Sequence, residues 1–344
     1  MKLPEVFERY RSDIDAELRS ALAEQPAPGG PMYDMLRYHL GWKDETGKPL
    51  PGSAGKALRP TLCLLAHEAT AGEFKTALPA AAALELVHNF SLIHDDIQDN
   101  DRERRHRPTL WSIWGVPQAI NAGNAMHLVA SLALFRLAER GVAAGRVLRA
   151  QRLLEHNCLT MIEGQYLDLS FESRLDISES DYLDMIARKT GALMACSLET
   201  GALLGSEDEA VIASFSEFGR NLGLAFQVKD DFLGIWGNQQ ETGKPLGSDI
   251  RRGKKSFPVV YALEKAQGEA RKCLTSVYGN KSIDEAGANA VMDILDSIRA
   301  REQTQHIAEQ YRDKALAALE RVELSSWARR NLEEVAHFSV ARGF

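Results

Sequence analysis

The chain has 344 residues, of which 44% are hydrophobic, enough for one large core or two ordinary ones, and its formal net charge is −7. An acidic balance excludes a general nucleic-acid binder, whose footprint is a basic excess. Four scattered cysteines, Cys63, Cys158, Cys196 and Cys273, lack the paired spacing of zinc sites or disulfide frameworks, and read as core thiols in a reducing compartment.

The opening residues MKLPEVFERYRSDIDAEL alternate charged and apolar positions without an uninterrupted apolar stretch. They contain neither a signal peptide nor a membrane anchor, and a cytoplasmic protein with no integral membrane segment is expected. Loops follow at Glu24 to Pro31 and Gly41 to Gly55, so that residues 1–54 form a variable helical segment and loop at the start of a single domain spanning 1–344. Beyond them, apolar residues recur at three- and four-residue spacing and strand-like alternation is hard to find. Helices are expected at Leu78 to Asp95, Ala125 to Arg140, Val147 to Leu169, Asp181 to Leu204, Val211 to Asp231 and Ala290 to Leu319, with a further loop at Gly237 to Gly253. The fold class is therefore all-α, a single large helical bundle around a central cavity. The hexapeptide ETGKPL occurs at Glu45 to Leu50 and Glu241 to Leu246, but the flanking residues differ and no period follows.

The first chemistry-bearing segment, LELVHNFSLIHDDIQDNDRERRHRPT, carries an apolar helix into Asp95, Asp96 and Asp99. Asp95 and Asp99 lie one turn apart on one face, where like charges repel unless a cation sits between them. Hard oxygen ligands with room for water and phosphate oxygens suit Mg²⁺. A solvated helix end, its aspartates paired with Arg102, Arg104, Arg105 and Arg107, is the bland alternative. His88, seven residues before Asp95, lies on nearly the same face, as an anion donor or as a core histidine.

The second segment, FGRNLGLAFQVKDDFLGIWGNQQETGKPLGSDIRRGKKSFP, repeats the design with Gln227, Asp230 and Asp231 at a helix end, then Lys244, Lys254 and Lys255 on a glycine-rich stretch. Such lysines can meet phosphate as point charges. Gly219 and Gly223 share the Asp230 face and mark either a close helix contact or an open channel. Two carboxylate helix ends, each followed by basic residues, describe a site for metal-bridged diphosphate.

These residues resemble the trans-isoprenyl diphosphate synthase family, the polyprenyl synthetases, from about Gly55 to the C-terminus. Gly55-Lys56-Ala57-Leu58-Arg59-Pro60 is similar to its GKxxRP signature, and Asp95 to Asp99 to its first aspartate-rich motif, with Arg104 and Arg105 at the expected distance. The GQxxDL helix matches Met161 to Leu169, the KT pair Lys189-Thr190, and the second aspartate-rich motif Gln227 to Asp231. The resemblance implies a Mg²⁺-dependent transferase that condenses isopentenyl diphosphate with dimethylallyl, geranyl or farnesyl diphosphate. By the same resemblance, Asp95, Asp99 and Asp230 would bind three Mg²⁺ ions, with Asp96, Asp231, Gln165, Asp168 and Gln227 in support. Arg104, Lys189, Thr190, Lys244 and Lys254 would neutralise the allylic diphosphate, while Lys56, Arg59, His88 and Arg105 would hold that of isopentenyl diphosphate. A homodimer is likewise expected from the resemblance.

Gly234 stands at the third aspartate position of the second motif, Asn124 at a usual aspartate, Ala57 at a frequent arginine and His106 at a frequent glycine. Phe90 and Ser91, five and four residues before Asp95, stand where the family sets product length. That pair, without an insertion in the motif, resembles the geranylgeranyl diphosphate synthases and predicts a C20 product. A farnesyl or longer product is the alternative, and remoter ones are a class I terpene cyclase and a non-catalytic regulatory subunit.

Overall fold

The computed structural model describes residues 3–23, 30–50, 55–237, 245–280 and 282–343. Among them helix dominates, and the sheet content is one two-stranded hairpin, Glu103–Arg104 with Arg107–Pro108, plus an isolated bridge between Lys43 and Pro49. The protein is all-α, as its periodicity predicts.

The chain divides into two compact units. The first comprises residues 5–155 and 197–212. Its centre is the helix Leu78–Gln98, which packs against Val116–Phe135, Leu58–Ala71 and Val6–Ala23. By length and apolarity the span Lys75–Gln98 could cross a membrane, yet 78% of its apolar window is buried inside the protein. Its alanine-rich first half, Ala80 to Ala83, is buried on all sides, as small residues require when helices approach closely. Gly123 serves the same end, because a Cβ there would stand 2.3 Å from the His94 ring.

The second unit comprises residues 1–4, 156–196 and 213–344. One core cluster gathers Phe171, Tyr182, Ile186, Val228, Phe257 and Val340; another gathers Ile235, Ile250, Leu263, Leu274, Val291 and Leu295. A capping box starts the helix Glu179–Ile186: the Ser178 hydroxyl accepts from the Asp181 N–H, and the Asp181 carboxylate accepts from the Ser178 N–H at 3.0 Å.

Four of the expected helices form within a few residues of their expected ends: Leu78–Gln98, Ala144–Phe171, Glu209–Trp236 and the run from Glu179 to Gly205. That last run is interrupted by a π-helical segment, Ala187–Gly191. The helix expected from Ala125 begins at Val116, where Gly115 at φ 81° turns the chain and Pro117 occupies the first turn. The helix expected over Ala290 to Leu319 is instead two, Glu285–Ser297 and Ala300–Ala318, divided where Arg299 takes the left-handed conformation at φ 55°. The expected loops are also shorter, since Gly30 begins a helix and Ser248–Arg251 forms a turn of helix.

Candidate functional site

In the first unit the Leu78–Gln98 helix ends inside the aspartate cluster. Asp99 caps it, its N–H donating to the Asp95 carbonyl at 2.8 Å, so Asp95 and Asp99 stand one turn apart as the spacing predicts. Asp96 points the other way. Only 2% of its side chain is exposed, and it accepts from Arg104 Nε at 2.7 Å. Burial raises the Asp96 carboxyl to about 6, against the lowering pull of Arg104. Asp96 is thus a buried partner of Arg104, whereas Asp95 is partly exposed and Asp99 exposed.

Arg104 and Arg105 are carried by the hairpin. Its two-residue turn, Arg105 and His106, has φ of 52° and 60°, the left-handed pair that a tight hairpin demands. This accounts for glycine being frequent at the His106 position. Arg107 clamps the hairpin to the helix Gly30–His39: its guanidinium lies over the Tyr38 ring at 4.1 Å and donates to the carbonyls of Tyr38 and Lys43 at 3.0 and 2.8 Å. The Tyr38 hydroxyl returns a bond to the Pro108 carbonyl at 2.8 Å. The four arginines therefore do not form a solvated ladder to the aspartates: Arg107 is used structurally and Arg102 lies over Trp111 at 5.4 Å.

Beside the hairpin lies a cationic group. A Cβ on Gly55 would meet the Arg105 guanidinium at 3.2 Å, so glycine lets that plane lie against the backbone. Arg59 is lowered to about 10 by burial, against the pull of Glu85, and its Nε has no hydrogen-bond partner among the described residues. Glu85 is raised by burial, with Arg59 and Arg105 lowering it. His88 is held well below its ordinary value by burial and then by Arg59, Arg105 and Arg104, so at neutral pH it is an uncharged donor. His39 joins the same group, pushed down to about 3 by burial and by Arg105, Arg104 and Arg107. Lys56 is exposed at the entrance to the Leu58–Ala71 helix, after which Ala57 takes φ 50°. Buried guanidinium with an open donor beside neutral imidazole is an arrangement for an anion.

In the second unit the two aspartates of the second motif are unlike. Asp231 is fully buried and saturated: it accepts from the Tyr182 hydroxyl, from the Phe257 N–H at 2.9 Å and from Gln227 Nε2 at 3.2 Å, with Lys254 Nζ at 3.5 Å. Burial raises its carboxyl, while Lys254 and these donors lower it. Asp230 is 53% exposed and accepts from Arg342 at 2.8 Å. Gln227 also accepts from the Thr190 hydroxyl at 2.8 Å, and Lys189 pairs with Asp168, so the π-helical segment and the Ala144–Phe171 helix join one network. Gln165 lies three residues before Asp168 on that helix. Desolvation pulls Lys254 down, but Asp231, Asp249, Asp168 and Asp230 raise it above the usual ammonium range, although 43% of its side chain is exposed. Lys244 lies outside the described residues.

Glycines allow close packing around this network. A Cβ on Gly219 would stand 2.7 Å from Ala195 Cα, and one on Gly223 2.7 Å from Gly191 Cα, so the pair serves close helix packing rather than a channel. A Cβ on Gly164 would stand 2.2 Å from the Lys189 backbone nitrogen, in the same sense. At Gly234 a Cβ would stand 2.2 Å from an Asp249 carboxylate oxygen. The missing third aspartate is thus replaced in space by Asp249, 5% exposed and 3.6 Å from Lys254 Nζ. Asp249, Arg342, Tyr182 and His39 are participants that the sequence reading missed, because each reaches its partners only through the fold and stands in no motif of its own.

Among the described residues, no three histidine, cysteine or carboxylate side chains converge as a protein-only metal cage. Exposed single carboxylates, with ligands left to water and phosphate, suit Mg²⁺, which dehydrates reluctantly. Cys63, Cys158 and Cys196 are buried thiols, in no disulfide; Cys273, expected in the core, is half-buried.

Helix-end carboxylates beside guanidinium and ammonium groups define a diphosphate-handling enzyme of the all-α type, and the comparisons agree. The polyprenyl synthetase family model matches residues 42–295, and the chain belongs to that family. It is a trans-prenyl diphosphate synthase, hence a prenyltransferase. Over 273 residues it is 42% identical to a geranylgeranyl diphosphate synthase of Mycobacterium tuberculosis, covering 79% of this chain and 76% of the relative. It is 37% identical over 314 residues to a (2E,6E)-farnesyl diphosphate synthase of the same organism, covering 90% and 86%. The crystal structure of a polyprenyl synthetase from Streptomyces coelicolor A3(2) is similar with a TM-score of 0.89 and 37% identity, over 98% of this chain and 99% of that one.

Proposed function

We propose that the protein condenses isopentenyl diphosphate with allylic diphosphates to give geranylgeranyl diphosphate, the C20 product. The observation that carries the length is Phe90. It is buried at 6% exposure, with its ring against His94 at 5.2 Å and against His127 at 5.1 Å. His127 is in turn held by Glu155 at 3.2 Å. Ser91 beside it is small, its hydroxyl spent on the His88 carbonyl. A single braced aromatic under the first motif supports a floor one step deeper than two adjacent aromatics allow.

In this reading Asp95, Asp99 and Asp230 bind Mg²⁺, three ions in all, with Asp96, Asp231, Gln165 and Asp168 holding the ligands in place. Bound there, the ions would supply electrostatic stabilisation of the leaving diphosphate; Arg104, Lys189, Lys244 and Lys254, with Thr190 and Gln227, neutralise the allylic diphosphate as its C–O bond breaks. Lys56, Arg59, His88 and Arg105 hold isopentenyl diphosphate. Its terminal alkene attacks the allylic cation, forming the new C–C bond, and a proton then leaves for the released diphosphate. A neutral His88 supports this, since it donates without adding charge beside three arginines.

A homodimer is part of the proposal. In the first unit Leu128, Leu132 and Phe135 are 62%, 52% and 47% exposed along one helix, and in the second unit Leu159, Ile162 and Tyr166 are exposed along another, apolar faces of the kind that a second copy would cover. The test of product length is incubation with isopentenyl diphosphate and C5, C10 or C15 primers. C20 is expected from each; accumulation of C15 without C20 makes the enzyme a farnesyl diphosphate synthase, the reading favoured by the 37% identical relative of that name.

A further inference from the structure

We propose that Arg342 is a built-in counter-cation for Asp230, which keeps the second aspartate motif from taking a divalent ion until a diphosphate is bound. The inference rests on the reading of Asp230 as a metal ligand. Arg342 follows the helix Ser326–Ala341, with its N–H on the Phe338 carbonyl and its backbone extended at φ −61°, ψ 148°. Although it stands two residues from the end of the chain, only 3% of its side chain is exposed. The guanidinium lies over the Phe226 ring at 3.8 Å and donates to the carbonyls of Phe226 at 3.1 Å and Ser339 at 3.4 Å. It gives Nη2–H to Asp230 Oδ1 at 2.8 Å.

This cation is fixed. A buried guanidinium needs a carboxylate, and Asp230 is the one it is paired with. Its anchors are backbone carbonyls and an aromatic face, so it does not swing away as a surface arginine would. Asp230 in contrast faces water over half its side chain, while the adjacent Asp231 is fully buried and committed to Tyr182, Phe257, Gln227 and Lys254. The carboxylate left to an incoming metal is therefore one whose charge a neighbouring +1 already offsets. A divalent ion on Asp230 is repelled by that guanidinium even at the dielectric of water, which weakens bare-ion binding about tenfold. A diphosphate brings enough negative charge to reverse the balance, and ion and anion then enter together. Asp230 would bind metal as part of a metal–diphosphate complex, not ahead of it.

The experiment is a Mn²⁺ titration followed by electron paramagnetic resonance, with and without inorganic pyrophosphate. Without pyrophosphate, Arg342→Gln is expected to bind Mn²⁺ about tenfold more tightly than the parent, whereas Arg342→Lys, which keeps the charge, stays within about twofold. Pyrophosphate should then tighten Mn²⁺ less in Arg342→Gln than in the parent. Should Arg342→Gln fail to fold, Arg342→Met, whose stem still packs on Phe226, is measured in its place. Equal or weaker Mn²⁺ binding by the neutral variants without pyrophosphate overturns the inference. Asp230→Asn separates the two readings: loss of Mn²⁺ in the presence of pyrophosphate upholds Asp230 as a ligand whatever Arg342 does. No change in Asp230→Asn removes both.

Discussion

At the scale of single residues, identical side chains in adjacent positions have opposite circumstances. Asp231 is enclosed by a tyrosine hydroxyl, a backbone N–H, an amide and an ammonium, so Asp231→Ala would strand several buried polar groups. A loss of about 3–5 kcal/mol in urea unfolding is expected. Asp230→Ala should also lower the unfolding midpoint, because it leaves the buried Arg342 guanidinium without its carboxylate, and should lower kcat about 100-fold or more if its carboxylate carries metal. The half-buried histidines of the cationic group give a pH dependence. His39 and His88 both have folded values below the ordinary histidine range. Between pH 6.5 and the lower folded value the unfolded chain binds more protons than the native one, so stability is complete above 6.5 and falls as the solution is acidified. Thermal melts should show each histidine costing up to about 2 kcal/mol between pH 6.5 and 5, and His39→Asn should flatten the slope by its share.

At the scale of elements, the site depends on how closely helices and turns approach. The π-helical Ala187–Gly191 segment turns Lys189 toward Asp168 and Thr190 toward Gln227, an interruption of the kind often found where a helix carries function. Gly164 allows it, since a side chain there would strike the Lys189 backbone; Gly164→Val should lower both melting temperature and activity. Gly234 yields a sharper test. Restoring the family's third aspartate by Gly234→Asp is expected to reduce activity, because the space is held by the Asp249 carboxylate. The double variant Gly234→Asp with Asp249→Gly should recover part of that loss, read as kcat in a coupled diphosphate-release assay.

At the scale of the whole molecule, product length and assembly are the properties to measure. Phe90→Ala should shift the product distribution beyond C20 by chromatography, because the ring braced by His94 and His127 is the floor in the proposed reading. The all-α class, both aspartate helix ends and the family were legible in the sequence, since helical periodicity and motif spacing are local properties of the chain. The Glu285–Ala318 break was not, because a single left-handed residue, Arg299, leaves no trace in an apolar pattern. Nor was the fate of each carboxylate. The sequence by itself determined that five aspartates and their basic companions stand at two helix ends. Only the tertiary structure decided that Asp96 and Asp231 are buried partners, that Asp249 fills the place of a missing side chain, and that Arg342, 112 residues from Asp230, lies against it. Burial and ion pairing are set by what packs against a residue from far along the chain, and no local pattern encodes that.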